Sequence, residues 1–140
     1  MANRVNKHSK ESFDSVRLRA DQGDADAQFN LGFMYEYGRG VRKNDEEAVR
    51  WYRAAAEQGD ADAQNALGYM YANGEGIRKN DKEAVRWYRA AADQGLAQAQ
   101  YNLGLMYEYG RGVPQDDKEA IRWYRLAADQ GFALAQVHLA

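Results

Sequence analysis

The sequence contains no cysteine, and threonine is also absent. Without thiols the chain has no disulfides, no zinc–thiolate sites and no thiol nucleophile. Because β-strands are enriched in β-branched residues, the absence of threonine and the scarcity of isoleucine give no support to a sheet. The formal net charge of −2 provides no basic excess for binding a nucleic-acid backbone.

Long apolar runs are missing too. No stretch approaches the roughly 18 residues of a membrane-spanning helix, so no membrane insertion is expected. The first dozen residues, MANRVNKHSKES, lack the apolar core of a secretory signal. The chain is therefore expected to be cytosolic or a mature fragment, and its compartment stays open. The 140 residues, 45% hydrophobic and 29% charged, are typical of one soluble folded domain.

Self-similarity is the dominant feature of the sequence. A fixed spacing of 36 residues relates Trp51, Trp87 and Trp123, Leu31, Leu67 and Leu103, and Gly59, Gly95 and Gly131. A period between about 20 and 50 residues indicates a solenoid, in which each unit buries its apolar face by stacking on its neighbour. The predicted division is an N-terminal segment with a degenerate capping helix at 1–23, repeats at 24–59, 60–95 and 96–131, and a partial fourth repeat at 132–140.

Each repeat has the pattern of two helices. In the first half of repeat 1, Ala27, Leu31 and Tyr35 recur one helical turn apart, and in the second half Ala48 and Tyr52 do the same. A glycine follows each half and is predicted to end its helix. The three tryptophans are predicted to form the core between repeats.

Caps and glycines add detail to this pattern. Asn44 or Asp45 is predicted to cap the second helix of repeat 1, with Asn80 and Asp116 at the same place in the next repeats. Glycine inside a helix costs about 1 kcal/mol relative to alanine. Three glycines within the first helices are therefore predicted to let the paired helix approach closely: Gly32, Gly68 and Gly104.

The run AQFNLGFMYEYGRGV, followed by D-x-x-EAVRWYRAAAEQG, resembles the Sel-one-like repeat (SLR) family, relatives of the tetratricopeptide repeat. The shared features are Leu31-Gly32-x-x-Tyr35 in the first helix and Ala48-x3-Tyr52 in the second. The sequence departs from the tetratricopeptide pattern in its 36-residue period, in Gln28 where that signature has tryptophan, and in a longer GxG loop. The resemblance implies an all-α, right-handed α-solenoid (superhelix) of antiparallel helix pairs.

The loop between the two helices is written three times, as GRGVRKND at 38–45, GEGIRKND at 74–81 and GRGVPQDD at 110–117. Because its glycines lie beside Arg39, Arg42 and Lys43, one interpretation of the loop is a phosphate-binding site. The glycines and one apolar residue persist, whereas Arg39 becomes Glu75 in repeat 2, and no strand precedes the loop. A turn that carries one packing side chain is the favoured interpretation.

Function is sought where the repeats differ, because positions common to all repeats are explained by stacking. The variable positions of the first helix share one face. In the related tetratricopeptide family, the corresponding face lines the concave groove that holds partner segments. The predicted partner-binding residues are Asp26, Phe29, Phe33, Glu36, Tyr37, Asp62, Asn65, Tyr69, Asn73, Gln98, Tyr101, Leu105, Glu108 and Tyr109. The alternative is that several of these aromatic residues only cover neighbouring helices.

The resemblance implies a non-catalytic scaffold or adaptor that binds another protein or a peptide, with acidic residues that favour a basic segment. No catalytic, cofactor or metal site is predicted, since His8 and His138 have no ligand partners at useful spacing. One alternative is the β-lactam binding or hydrolysis associated with cysteine-rich relatives, although this chain lacks cysteine. Another alternative is a bacterial inhibitor or immunity protein.

The last nine residues, FALAQVHLA, begin a fourth repeat with a single short helix. Solenoids normally need a polar terminal cap, but this helix offers Phe132, Leu134, Val137 and Leu139. Fraying of this end, or self-association through it, is expected.

Overall fold

The computed structural model describes residues 11–140, and this part of the chain contains eight α-helices and no strand. The helices are α1 Phe13–Asp21, α2 Ala25–Tyr37, α3 Asp45–Glu57, α4 Ala61–Asn73, α5 Asp81–Asp93, α6 Ala97–Tyr109, α7 Asp117–Asp129 and α8 Ala133–Leu139. Each helix packs chiefly on the one before it and the one after it. The antiparallel pairs α2/α3, α4/α5 and α6/α7 form a right-handed α-solenoid, which confirms the predicted fold class.

Helix α1 lies inside the segment predicted to hold a degenerate capping helix. The rest of that segment, residues 1–10 with His8, lies outside the described residues. Within residues 11–140, no helix has both the length and the apolar character that crossing a membrane requires.

The ends of the helices follow the predicted cap chemistry. The side chain of Asn44 accepts a hydrogen bond from the Glu47 backbone N–H at 3.1 Å, and Asn80 and Asp116 cap α5 and α7 in the same way. Helix α2 ends at Gly38, whose φ of 67° lies in the left-handed region that favours glycine. The loop that follows is a turn, and its side chain Val41 packs on the core, as the favoured interpretation predicted.

The glycine inside each first helix makes room for a tyrosine of the second helix. A Cβ added at Gly32 would lie 2.6 Å from Cδ1 of Tyr52, which is buried. The same contact recurs between Gly68 and Tyr88 at 2.7 Å and between Gly104 and Tyr124 at 2.5 Å. The predicted close approach of the paired helices is therefore confirmed.

The three tryptophans are buried in the core, as predicted. Each is covered on its outer side by the preceding arginine, whose guanidinium carbon lies over the ring at 5.6 Å for Arg50 and at 4.8 Å for Arg86 and Arg122. A stacked guanidinium shields the indole and keeps its own charge in water. The second helices thus complete the core and present charged side chains outward.

A ladder of glutamine pairs ties each repeat to the helix before it. The Gln58 side-chain amide donates to the Gly23 carbonyl at 2.9 Å and to the Gln28 side-chain oxygen at 2.8 Å. Gln28 in turn donates to the Ala20 carbonyl at 3.2 Å. Equivalent pairs form between Gln94 and Gln64 and between Gln130 and Gln100. The buried glutamine that replaces the tetratricopeptide tryptophan therefore has its hydrogen bonds satisfied within the stack.

Helix α8 packs on α7. Phe132, just before it, stacks on Tyr101 with ring centroids 5.3 Å apart, and Ala135 is buried. Leu134 and Val137 remain exposed on α8. Self-association through this end stays a prediction.

Candidate functional site

A pocket of about 370 Å³ lies on the side of the solenoid formed by the first helices α2, α4 and α6. Its lining consists of Phe29, Phe33, Glu36, Tyr37, Tyr52, Asp62, Asn65, Ala66, Tyr69, Gln98 and Asn102. Most of these residues belong to the predicted partner-binding set. Tyr52, Ala66 and Asn102 are additions that sequence reasoning missed.

The lining contains a small residue at a position where the neighbouring repeats have a larger one. Ala66 stands where repeats 1 and 3 carry Asn30 and Asn102. In α6, Asn102 donates to the Asn65 side-chain oxygen at 3.0 Å and so bridges α6 to α4. The methyl group of Ala66 cannot make such a hydrogen bond toward α2. An alignment of the three repeats shows this difference, and it could have identified position 66 as a candidate site residue.

Aromatic rings form the floor and the rim of the pocket. Phe29 is only 8% exposed and packs on Tyr52, with ring centroids 5.7 Å apart, so the two rings belong to the floor. Phe33 and Tyr37 pack on each other with centroids 4.6 Å apart. Tyr69, on the facing helix α4, is 45% exposed. Tyr37 and Tyr69 are therefore exposed enough to contact another molecule.

The charge of the pocket is set by Glu36, whose carboxylate accepts a hydrogen bond from the Tyr52 hydroxyl at 2.6 Å. Burial raises the pKa of the Glu36 carboxyl, this hydrogen bond opposes the shift, and the nearby carboxylates of Glu75 and Asp45 raise the pKa further. Lys43 donates to the Asp45 carboxylate at 2.7 Å and to the Glu36 backbone carbonyl at 3.1 Å. Three carboxylates therefore share one ammonium group.

We call the contact between repeats 1 and 2 the first junction and the contact between repeats 2 and 3 the second junction. At the second junction Ala72 replaces Glu36. The Arg111 guanidinium donates to the Ala72 carbonyl at 2.8 Å and to the Asp81 carboxylate at 2.9 Å. Burial acts to raise the pKa of Asp81, but hydrogen bonds from Arg111 and Lys79 lower it overall. The second junction is thus neutralised within the chain.

Several predicted residues lie outside the lining of this pocket, namely Asp26, Asn73, Tyr101, Leu105, Glu108 and Tyr109. Tyr101 is only 8% exposed, because Phe132 and His138 cover it. His138 Nδ1 lies 3.2 Å from the Tyr101 hydroxyl oxygen. Glu108 accepts a hydrogen bond from the Tyr124 hydroxyl at 2.5 Å, as Glu36 does from Tyr52. Partner contact at these positions stays a prediction.

Residues 11–140 contain no group of three or more histidine and carboxylate side chains placed to hold a metal ion.

The sequence matches the family model of the Sel1 repeat three times, over residues 25–60, 61–96 and 97–132. Each match begins one residue after the repeat start predicted above, and the exact boundaries stay a prediction. Among curated proteins, no relative matches the sequence.

Solved structures provide relatives at high identity. A Sel1 repeat protein from Oxalobacter formigenes is 46% identical with a TM-score of 0.87, and the match covers 91% of this chain and 51% of that one. A protective antigen present in uropathogenic Escherichia coli strains, which displays an SLR fold, is 45% identical with a TM-score of 0.83, and the match covers 86% of this chain and 26% of that one. The chain thus spans about half the length of the first structure and about a quarter of the second.

Helicobacter pylori cysteine rich protein B is 19% identical with a TM-score of 0.69, and the match covers 92% of each chain. At this identity the likeness shows a shared fold alone. The three matched repeats and the two structures at higher identity show that the chain belongs to the Sel1 repeat family, whose members are generally non-enzymatic scaffolds that bind proteins.

Proposed function

We propose that the chain is a non-catalytic adaptor that binds a protein or peptide segment on the concave face formed by α2, α4 and α6. The observation that carries this proposal is the pocket on those helices, which is lined largely by positions that differ between repeats. Many of the residues common to all repeats are buried in the core between helices. A variable, aromatic and partly exposed surface is therefore the part of the solenoid left for recognition.

The rim residues have the chemistry of interface anchors. Tyr69 lies in the middle repeat, and Phe33 and Leu105 occupy the equivalent positions on either side. Tyrosine provides a large contact area with few rotatable bonds, and buried aromatic anchors commonly account for about 2 kcal/mol or more of binding free energy. Acidic residues around these rings favour a basic partner and are expected to raise its association rate.

Chemistry in this pocket has less support. The described residues that line it include no serine, lysine or histidine, and the chain has no cysteine or threonine. β-Lactam hydrolysis through an acyl-enzyme normally uses serine, cysteine or threonine as the nucleophile, with lysine or histidine as a common base. The composition of the lining therefore favours binding over hydrolysis. A role as a bacterial inhibitor or immunity protein stays an alternative identity for the adaptor.

Capture of a partner by the immobilised chain, followed by mass spectrometry, would identify the bound protein. The decisive variant is then Tyr69→Ala, for which we expect roughly a 30-fold loss of affinity, equivalent to about 2 kcal/mol. Helix content measured by circular dichroism should stay unchanged, because Tyr69 is 45% exposed.

The control variant is Arg86→Ala, which changes an exposed residue of α5 and should keep partner affinity near that of the wild type. Binding retained in Tyr69→Ala, Phe33→Ala and Leu105→Ala, together with loss on changing residues of the second helices, would place the site on the convex side and refute the proposal.

A further inference from the structure

We propose that this pocket binds the guanidinium group of an arginine carried by the partner peptide, with Glu36 as the counter-ion and the rings of Tyr37 and Tyr69 as stacking surfaces. The inference rests on the proposed function and specifies the side chain that the partner brings. It differs from a general preference for basic segments, because it assigns one cation to one place on the solenoid.

The charges around the pocket favour a cation. Glu36 and Asp62 line it, and no lysine or arginine is among the described residues of the lining. The carboxylates of Glu75 and Asp45 act on Glu36 from the neighbouring loop and helix. Lys43 is held by Asp45 and by a backbone carbonyl. A guest cation would therefore relieve repulsion between carboxylates that Lys43 only partly offsets.

The second junction shows how the same fold uses a guanidinium. There Arg111 reaches from the loop of the following repeat to a carbonyl at the end of α4 and to the Asp81 carboxylate, at 2.8 and 2.9 Å. The residue at the equivalent position of repeat 2 is Glu75, which brings a negative charge to the first junction. The first junction thus has carboxylates but no arginine equivalent to Arg111, and the partner would supply that arginine.

Aromatic rings favour arginine over lysine as the guest. Within residues 11–140, the cations that lie over aromatic rings are all arginines. Arg53 shows both interactions at once, since its guanidinium lies 5.5 Å from the Tyr71 ring centroid and donates to the hydroxyl at 2.6 Å. A guanidinium is planar and more weakly hydrated than an ammonium, so it stacks at lower cost.

One ring of the pocket is already in use. Arg39 lies over Phe33 with its guanidinium carbon 5.5 Å from the ring centroid. The exposed rings of Tyr37 and Tyr69 are therefore the surfaces left for the guest. They belong to facing helices, α2 and α4, so a guanidinium between them would contact both repeats.

The test uses the full chain labelled with ¹⁵N and the blocked peptide acetyl-Ala-Ala-Arg-Ala-Ala-amide. We expect amide shift changes centred on Glu36, Tyr37 and Tyr69. The same peptide with citrulline, which keeps the planar group but lacks the charge, should bind about tenfold more weakly. Equal binding of the citrulline peptide would overturn the cation assignment, and tighter binding of a lysine peptide would overturn the choice of guanidinium.

A matched pair of variants tests the counter-ion. Glu36→Gln keeps a hydrogen-bond acceptor for Tyr52 and should weaken binding of the arginine peptide about tenfold, whereas Glu47→Gln on α3 should leave it unchanged. Equal affinities of the two variants would overturn the assignment to Glu36. If the arginine peptide causes no shifts while Tyr69→Ala still weakens capture of the protein partner, this inference fails and the proposed function stands.

Discussion

At the first junction the loop after α4 brings Glu75 toward Glu36, whereas at the second junction the loop after α6 brings Arg111 onto Asp81. The glutamine pairs and the loop glycines around them are the same at both junctions. Stacking therefore depends on the shared residues, and charge depends on the residues that differ. The difference shows that one solenoid can keep identical packing while one junction is neutralised internally and the other stays acidic.

The shared backbone should be the most sensitive part of both junctions. A Cβ added at Gly76 would meet the Asp45 backbone carbonyl oxygen, and one added at Gly112 would meet that of Asp81. Because both glycines also have positive φ, Gly76→Ala and Gly112→Ala should each lower the free energy of unfolding by about 3 kcal/mol. Denaturant unfolding followed by circular dichroism would measure this.

Gly59→Ala is the matched control, because Gly59 also has positive φ but has no atom within 4 Å of the added Cβ. Its expected cost is about 1 kcal/mol. Equal losses at Gly59 and Gly76 would mean that the loop does not pack against the neighbouring repeat as described.

Making the second junction resemble the first should have the next largest effect. Arg111→Glu removes the three hydrogen bonds that the guanidinium donates to Ala72 and Asp81, and places a carboxylate beside Asp81. We expect a loss of about 1–2 kcal/mol in the free energy of unfolding, since the pair is partly exposed. The loss should shrink at high salt, and a loss that does not depend on salt would indicate a packing role for the arginine instead.

The reverse exchange should stabilise the chain. Glu75→Arg removes one of the carboxylates near Glu36 and supplies the guanidinium that the second junction already has. We expect a gain of about 0.5–1 kcal/mol in the free energy of unfolding, measured in the same assay. The variant should also bind the arginine peptide more weakly than the wild type, because the site would hold a cation of its own. A gain in stability without loss of peptide binding would separate the two effects and contradict the proposed site.

The smallest effect concerns pH. Since the pKa of Glu36 is raised in the folded state, the protonated form is favoured there, and the associated stability is lost as pH rises through the folded pKa. Replacing the residue by glutamine removes this dependence. As the pH rises from about 4 to 7, the free energy of unfolding of Glu36→Gln should therefore increase relative to that of the wild type. The expected increase is a few tenths of a kcal/mol, because solvent screens the charges.

Unfolding titrations at several pH values would test this difference. Glu75→Gln in both backgrounds should reduce it, because the Glu75 carboxylate is one of its causes. A difference that stays constant with pH would show that Glu36 titrates alike in the folded and unfolded chain.

The fold could be predicted from the sequence because stacked repeats need similar residues at a fixed spacing. The 36-residue spacing, the glycines inside the first helices and the capping asparagines each act within one repeat or between equivalent positions. Their roles follow from local geometry, and the structure confirms them. The glutamine ladder was not predicted. Its hydrogen bonds join residues 30 and 35 positions apart, a spacing that helical periodicity does not reveal.

The candidate site was only partly predictable, because helical periodicity places residues on a face without giving their depth. Phe29 and Phe33 share a face of α2, but the first is buried and the second lies at the rim. Tyr52 reaches the pocket from the second helix, beside the glycine that gives it room. Tyr101 is covered by α8, a contact that no pattern within repeat 3 reveals. Such positions depend on the neighbouring helix.

The glutamine ladder also bears on how an array of this kind can change in length. Each pair bonds to a backbone carbonyl just before its own repeat, and the next pair does the same 36 residues later. A tandem duplication of one whole unit would therefore meet its usual partners on both sides, whereas an insertion of another length would break the register. Recombination between units can consequently bring together new combinations of recognition residues, such as those at positions 36, 66 and 75, on an unaltered framework.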